Sequence, residues 1–317
     1  MSALPKLLCL VGPTGSGKTA AALHLAAALE SAGRPVTVIN ADSRQVYRDF
    51  PIITAQPSPE EKAVCPHKLY GWLESTQKMS AGQWAALAEA AIQEALTEGR
   101  LPMLVGGTGF YLRALLDGIA AIPDPDPEVS RRLTEECEEH GAPAMHARLA
   151  AIDPDYAAKI HPNDSQRCVR AMEVWESTGR TFTWWHGQTP PPAPYDVMRV
   201  GIGLPLAELT PYLERRIRIM IDMGALDEAQ RALKICPDID APAWTGIGCA
   251  ETAAFLRGRI DLPECVDFWA HNTRAYAKRQ WTWFRADKRI LWHRPGEHRD
   301  IEREVKAFLD GEAPSVP

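Results

Sequence analysis

The stretch Leu7–Thr19 has the sequence LLCLVGPTGSGKT, a run of apolar residues that breaks into a glycine-rich turn and then into helical residues. The turn matches the pattern G-x-x-x-x-G-K-[ST], with Gly12, Gly17, Lys18 and Thr19 at the fixed places. Such a loop wraps its N–H groups around an anion, and the helix N-terminus, the lysine charge and a magnesium-binding hydroxyl add to the site. Because an apolar strand precedes the turn and a helical pattern follows it, the sequence predicts a phosphate-binding loop rather than a bare turn. The motif alone leaves open whether a diphosphate or a triphosphate binds.

Composition excludes several classes of protein. The 317 residues are 45% apolar and 24% charged, which is typical of a soluble chain with room for two domains. No apolar run approaches the length of a membrane span. The seven cysteines are scattered without a C-x-x-C pair, which predicts reduced thiols in a cytoplasmic protein rather than disulfides or zinc. The net charge of −6 argues against a basic nucleic-acid binder overall but permits a local basic face.

Two further segments combine a predicted buried strand with a polar or glycine turn. The strand at 36–39 precedes Asp42, and the strand at 104–105 precedes a glycine turn around Thr108. Because ligands in an open α/β sheet lie outside the carboxyl ends of the strands, we expect Asp42 near the phosphate loop if the two strands are neighbours. The glycine turn suggests a second edge of the same site. From the residues alone, Asp42 is equally well explained as a helix N-cap or turn residue. The glycine turn is equally well explained as a tight connection without ligand contact.

Two proline-rich joints, at 122–127 and 189–194, bracket a stretch that shows only helical patterns. We therefore predict an α/β, P-loop NTPase-like parallel sheet with helices on both faces, built from residues 1–122 and 195–317. An all-helical domain at 123–194 is inserted into it.

Two helices of the α/β part carry candidate basic residues. One is predicted to open at Thr210 and Pro211, and Arg216 flanks its apolar stripe, where it can reach a phosphate or make a surface ion pair. The other, at 266–285, has a basic stripe, which suits a phosphodiester backbone with a base to stack on. Composition alone favours a solvated helix side for that stripe. Its members are Arg274, Lys278, Trp281 and Arg285.

Several segments together resemble one family, the tRNA dimethylallyltransferases, also called tRNA isopentenyltransferases. They occur in the family's order and span roughly residues 7–285. They are GPTGSGKT at 12–19, NADSRQVYR at 40–48, PH at 66–67, VGGTGFYLRALLDG at 105–118, IHPNDSQRCVRAMEV at 160–174 and TRAYAKRQWTWFR at 273–285.

The resemblance implies transfer of a dimethylallyl group from dimethylallyl diphosphate to tRNA, with release of diphosphate. The acceptor would be the exocyclic amine of the adenosine 3′-adjacent to the anticodon, and magnesium (Mg2+) the cofactor. Asp42 matches the family's catalytic base, because the amine must lose a proton as it attacks. Lys18, Thr19 with magnesium, and Arg216 would stabilise the charge that develops on the leaving diphosphate. The expected partners are dimethylallyl diphosphate and the tRNA anticodon stem-loop, with no membrane, and we expect a monomer.

The resemblance also implies a set of binding residues. The diphosphate would be bound by Gly12, Pro13, Thr14, Gly15, Ser16, Gly17, Lys18 and Thr19, and Thr19 would be the metal ligand. The tRNA would be bound by Asp42, Ser43, Arg44, Gln45, Thr108, Gln166, Arg167, Cys168, Val169, Arg170, Arg274, Lys278, Arg279, Trp281 and Arg285.

The sequence departs from the family at two places, and two other functions stay open. Gly248-Cys249-Ala250 stands where relatives show G-Y-[KR], and Ser130 stands near an arginine of relatives. A small-molecule kinase would use ATP in the same loop, but no clear apolar-strand-then-Asp motif for magnesium exists apart from the 36–42 segment. A non-catalytic RNA-binding protein with a vestigial loop is the second alternative. The intact Lys18, Thr19 and Asp42 argue against it.

Overall fold

A six-stranded sheet organises the computed structural model, which describes residues 4–312. The strand order is β3-β2-β4-β1-β5-β6, and every neighbouring pair is parallel. The central strands are almost fully buried, as expected for a parallel sheet covered on both faces. The strands are β1 (Lys6–Val11), β2 (Val36–Asn40), β3 (His67–Lys68), β4 (Leu101–Gly106), β5 (Asp196–Ile202) and β6 (Ile290–His293).

Fourteen α-helices and one 3-10 helix, Pro242–Thr245, lie within the described residues. In this part of the chain no helix combines the length and the apolar character that a membrane span requires. The helices are α1 (Lys18–Ser31), α2 (Pro59–Lys62), α3 (Ala81–Thr97), α4 (Gly109–Leu116), α5 (Pro127–His140), α6 (Ala142–Ile152), α7 (Pro154–Ala157), α8 (Ser165–Thr178), α9 (Phe182–His186), α10 (Leu206–Asp222), α11 (Ala225–Ile235), α12 (Cys249–Leu256), α13 (Leu262–Ala286) and α14 (His298–Asp310).

Helices cover both faces of the sheet, so the fold is the predicted P-loop NTPase-like α/β class. On one face, alternate strand residues such as Leu8 and Val200 pack with the apolar sides of α1 and α14. On the other face α3 packs against β2 and β4, and its Trp84 donates an indole hydrogen bond to the Asn40 carbonyl at 3.0 Å. All seven cysteines are buried free thiols.

The chain divides into two compact units. Residues up to Leu115 and from Pro194 onward form the α/β unit, and Leu116–Ala193 forms the helical unit. The insertion predicted at 123–194 corresponds to the helical unit, which begins earlier, at Leu116. The reason is local, because the Ala193 N–H donates to the Leu116 carbonyl at 3.1 Å and ties the two ends of this unit together.

The helical unit has its own core, built from α5, α6 and α8 around Leu133, Met145 and Met172. Cys168 is fully buried in this core, so its predicted place among the tRNA-binding residues is not supported by the packing. The thiol points inward because α8 turns a polar face outward and an apolar face to its neighbours. Arg148 closes the packing through a 2.7 Å ion pair with Glu136.

The predicted start of a helix at Thr210 and Pro211 is also wrong. Helix α10 begins at Leu206, after Pro205, whose carbonyl accepts the first hydrogen bonds of the helix. Pro211 lies inside the helix. A proline start signal occurs twice in this segment, and the earlier proline, with φ −51°, already has the angle that the helix entry needs.

Candidate active site

Three strand ends meet at one edge of the sheet. The phosphate loop follows β1, Asp42 follows β2, and Thr108 follows β4. The second and third turns are joined directly, since the Ser43 N–H donates to Thr108 Oγ1 at 2.9 Å and the Thr108 N–H donates to the Ala41 carbonyl at 3.1 Å. The structure therefore brings together the segments that the sequence predicted to lie near one another.

A cavity of about 290 Å³ opens at this edge. Its polar lining includes Thr14, Asp42 and Arg216. Its apolar lining comes from the loop after Asp42, from α10, from the segment before α12 and from α13. These apolar residues are Ile53, Leu213, Ile217, Met220, Ile247 and Trp269. One cavity thus offers charged groups and an apolar wall to the same ligand.

The phosphate loop has the geometry of an anion cradle. Gly15 has φ +75°, and a Cβ there would lie 2.4 Å from the Leu213 side chain, so only glycine fits. Gly17 precedes α1 without a side-chain cap, which leaves the first N–H groups of the helix for an anion. The hydroxyl of Ser16 is buried and has no hydrogen-bond partner among the described residues. The loop is therefore ready to accept a phosphate group.

Two basic side chains, Lys18 and Arg216, bind atoms of this loop. Lys18 donates from Nζ to the Pro13 carbonyl at 2.7 Å, and Arg216 donates from Nη1 to Thr14 Oγ1 at 3.2 Å. Burial lowers the pKa of Lys18 to about 8, with the Asp42 carboxylate opposing the shift and the Arg216 charge adding to it. Burial also lowers the pKa of Arg216, and Asp42 again opposes the shift. A bound anion would stabilise the charged forms of both side chains.

Asp42 is both a turn residue and a residue that lines the cavity. The sequence had left both a turn role and a place near the phosphate loop open. Its Oδ1 accepts the Arg44 N–H at 2.9 Å, and its own N–H donates to Asn40 Oδ1 at 2.8 Å. These bonds hold the side chain at the end of β2 while it lines the cavity. The arrangement suits a carboxylate that accepts a proton from a ligand.

Two neighbours of Asp42 have their side chains engaged within the protein. The guanidinium of Arg44 donates to the Pro242 carbonyl at 3.2 Å and to the Ala243 carbonyl, which fixes the segment before α12. Gln45 donates to the Ala55 carbonyl at 2.6 Å. Both side chains are half-buried, and Arg44 also lines the cavity.

Helix α13 presents exposed cations along the predicted basic stripe. Arg274, Lys278 and Arg285 are exposed, and Arg279 is exposed and also lines the cavity. Trp281 differs from them, because its ring packs edge-to-face on Trp292 with centroids 4.7 Å apart. Its prediction as a base-stacking residue is therefore not supported by the packing.

Trp281 also packs against the backbone at Gly203, where a Cβ would lie 2.3 Å from the ring.

In the helical unit, the predicted tRNA residues lie on the first turns of α8. Gln166 and Arg167 are exposed, and Arg167 pairs with Asp164 at 3.1 Å. Arg170 pairs with Glu173 at 3.2 Å, and Val169 is half-buried against the core of this unit. The polar members of the set therefore share one side of α8.

Sequence reasoning missed Gln280 and Tyr276 of α13. Gln280 is 5% exposed and donates to the Gly107 carbonyl at 2.9 Å, and Tyr276 lines the cavity. Burial, with the nearby Asp42 charge, raises the pKa of Tyr276 to about 12. A signal for Gln280 existed, since a spacing of 100° per residue puts this polar side chain on the same face of the helix as Trp269 and Phe284.

Comparison with known proteins shows the family to which the chain belongs. The model of the family described as IPP transferase matches residues 45–287. A tRNA dimethylallyltransferase of Nitratidesulfovibrio vulgaris (strain Miyazaki F) is 56% identical over 97% of this chain and 94% of that protein. The chain belongs to the tRNA dimethylallyltransferase family. Membership explains why the phosphate loop, the Asp42 turn and α13 occur together in one chain.

Solved structures of this family share the fold. The crystal structure of a full-length tRNA isopentenylpyrophosphate transferase from Bacillus halodurans is 32% identical, with a TM-score of 0.70 over 96% of this chain and 97% of that one. A eukaryotic dimethylallyltransferase acting on tRNA is 24% identical, with a TM-score of 0.81 over 98% of this chain and 81% of that one. At that identity the second likeness supports the fold alone.

Proposed function

We propose that this protein transfers a dimethylallyl group from dimethylallyl diphosphate to the exocyclic amine of the adenosine 3′-adjacent to the anticodon in tRNA. One observation carries the proposal. Thr14 of the phosphate loop, Arg216, the Asp42 carboxylate and an apolar wall all line one cavity. Lys18 lies in the same loop and donates to the Pro13 carbonyl beside Thr14. A donor with a charged head and a short branched hydrocarbon tail matches this combination.

The diphosphate of the donor binds the phosphate loop. Backbone N–H groups at the start of α1 face it, and Lys18 and Arg216 supply charge where the leaving group becomes more negative. The prenyl chain lies against the apolar wall that Leu213, Ile217 and Met220 of α10 provide. Water is thereby kept from the carbon that is attacked.

Magnesium fits the loop as a partner of the diphosphate. Thr19 is half-buried in the first turn of α1 and offers a hydroxyl oxygen, which is a ligand type that Mg2+ accepts. Within residues 4–312 no group of three or more His, Cys, Asp or Glu side chains is placed to hold a metal. The ion would therefore depend on Thr19 and on diphosphate oxygens, and when bound it supplies further positive charge to the leaving group.

Asp42 acts as the base. The adenine amine is a weak nucleophile that loses a proton as the new carbon–nitrogen bond forms, and the diphosphate leaves with the bonding electrons. Because Oδ1 of Asp42 already accepts the Arg44 N–H, the carboxylate is held in place while Oδ2 remains able to take the proton.

The tRNA contacts two kinds of surface. In the α/β unit the exposed cations Arg274, Lys278, Arg279 and Arg285 bind phosphates near the cavity. In the helical unit Gln166 with Arg167 and Arg170 offers a second contact. The target adenosine must leave its stack to reach the cavity. We also propose that the protein acts as a monomer in the cytoplasm.

A transfer assay tests the proposal. Purified protein is mixed with magnesium, radiolabelled dimethylallyl diphosphate and unmodified tRNA, and the label in the RNA is counted. A matched tRNA with guanosine in place of the anticodon-adjacent adenosine is the control. Label in the first tRNA alone is the expected result. No label in either tRNA, with ATP consumed when small acceptors are offered, would instead support a kinase.

A further inference from the structure

A single buried amide joins the two glycine turns of the cavity. Gln280 lies in α13 and is 5% exposed. Its Oε1 accepts the Thr14 N–H of the phosphate loop at 2.8 Å, and its Nε2 donates to the Gly107 carbonyl at 2.9 Å. One side chain therefore uses both ends of its amide to hold two backbone segments that are far apart in sequence.

The bond to Gly107 extends to the proposed base. Thr108 follows Gly107, and its side chain accepts the Ser43 N–H while its own N–H donates to the Ala41 carbonyl. Asp42 lies between Ala41 and Ser43 in the chain. A path made of hydrogen bonds and of the peptide link between Gly107 and Thr108 thus runs from the phosphate loop through Gln280 to the turn that carries Asp42.

The backbone at position 107 is shaped to admit this amide. A Cβ on Gly107 would lie 2.2 Å from Nε2 of Gln280, so any larger residue would displace the side chain. Helix α13 packs on the next glycine as well, since a Cβ on Gly109 would lie 2.1 Å from the indole nitrogen of Trp283. The turn after β4 therefore packs closely on α13 at Gly107 and at Gly109. Of the two side chains of α13 that it meets, Gln280 also binds the phosphate loop.

We propose that Gln280 is a positioning residue that fixes the distance between the diphosphate-binding loop and the Asp42 base. The inference rests on the proposed function, because that reaction requires donor carbon and acceptor amine to meet in a defined geometry. A loss of this constraint leaves the cations, the carboxylate and the RNA surface intact. It lowers the rate of the chemical step, for which a displacement of about 1 Å costs roughly a hundredfold.

Two variants separate hydrogen bonding from packing. Gln280→Met keeps the length of the side chain and removes both hydrogen bonds, leaving the Thr14 N–H and the Gly107 carbonyl without their partner. Gln280→Glu places an ionised carboxylate against the Gly107 carbonyl, which repels it. When that carboxyl is protonated, it again offers one acceptor and one donor, and burial favours the protonated form. Gln230→Met, on the exposed side of α11, is the matched control.

The closing experiment measures kcat, the donor KM and tRNA binding for all four proteins from pH 5.5 to 8.5. We expect Gln280→Met to lose roughly ten- to a hundredfold in kcat, with the donor KM and the tRNA Kd within about twofold of wild type. The kcat of Gln280→Glu relative to wild type should rise as the pH falls, whereas that of Gln280→Met should stay flat. The four proteins differ only at the substituted position, so the ratio to wild type reports the effect of that substitution.

Three results would overturn the inference. They are a wild-type kcat in Gln280→Met, a loss confined to the donor KM, and a kcat of Gln280→Glu at pH 5.5 that is as low as that of Gln280→Met. Hydrogen exchange of the Thr14 amide gives a readout that does not need activity, and it should become faster in Gln280→Met. If wild type itself transfers no label, the proposed function fails, and the exchange result alone decides whether Gln280 holds the loop.

Discussion

The lowered pKa of Lys18 predicts how donor capture depends on pH. Burial brings the pKa of this ammonium down to about 8 in the protein without a ligand. The charged form is therefore complete below pH 7, about half present at pH 8 and about one tenth present at pH 9. The terminal phosphate of the donor has a pKa near 6 and carries its full charge throughout this range. Any decline in donor capture between pH 7 and 9 then comes from an ionisation of the protein and not of the donor.

Donor capture should fall as the pH rises, because the diphosphate binds the charged form of Lys18. A diphosphate binds the ammonium form of Lys18 and raises its pKa, so above pH 8 binding must be accompanied by proton uptake. We expect kcat/KM for dimethylallyl diphosphate, at saturating tRNA, to be flat below pH 7.5 and to fall about tenfold per pH unit above 8.5. The kcat value should change little in this range, because the bound diphosphate keeps Lys18 charged.

Lys18→Arg is the control for this prediction. A guanidinium stays protonated at every pH of the assay, so the decline near pH 8 should vanish even where the absolute rate is lower. Calorimetric titration with inorganic pyrophosphate in two buffers of different ionisation enthalpy should show proton uptake that grows from pH 7 to pH 9. A kcat/KM profile in wild type that is flat to pH 9.5, with no proton uptake, would refute the reasoning.

Three further predictions follow from the site and its supports. Asp42→Asn should lower transfer by roughly 10²- to 10⁴-fold while tRNA affinity in a filter-binding assay stays unchanged, and a wild-type rate would exclude Asp42 as the base. Arg274→Glu with Lys278→Glu should weaken tRNA binding and reduce the slope of log Kd against log salt by roughly 1.5, whereas an unchanged slope would assign the stripe to solvent. Glu228→Ala should lower the free energy of unfolding by about 2–4 kcal/mol in urea titrations, because the buried carboxylate accepts the N–H groups of residues 52–53 at 2.7 and 2.8 Å; a loss below about 0.5 kcal/mol would contradict this.

The features predicted well from sequence are those that local pattern determines. The phosphate loop needs three fixed residue types within eight positions, and the parallel sheet follows from apolar runs that end in turns. Asp42 could be placed near the loop because carboxyl ends of parallel strands share one edge of a sheet. The loop and the strands are predicted from local pattern, whereas the place of Asp42 depends also on the strand order, in which β4 lies between β1 and β2.

The features that sequence did not predict depend on contacts between distant segments. Periodicity placed Gln280 on the inner face of α13, but nothing in the sequence indicated that the phosphate loop and Gly107 would meet it there. Cys168 and Trp281 lie within motif segments, and only the packing of each unit shows that one is fully buried and the other lies against Trp292. Matching a motif therefore singles out a segment without distinguishing its exposed residues from its core residues.

The departure from the family pattern at Gly248-Cys249-Ala250 has two different consequences, because Cys249 is buried and Ala250 is exposed. Cys249 is 1% exposed and packs in the core with Trp244 and Trp269, and burial raises the pKa of its thiol to about 12. A ring at this position would have to occupy that core, so the missing aromatic is a change of interior packing in this chain. Ala250 is exposed, so the missing cation removes one surface charge. Since each phosphate contact contributes separately to RNA affinity, the proposed function assigns the exposed cations of α13 a larger share of tRNA binding than they would have beside a basic residue at 250.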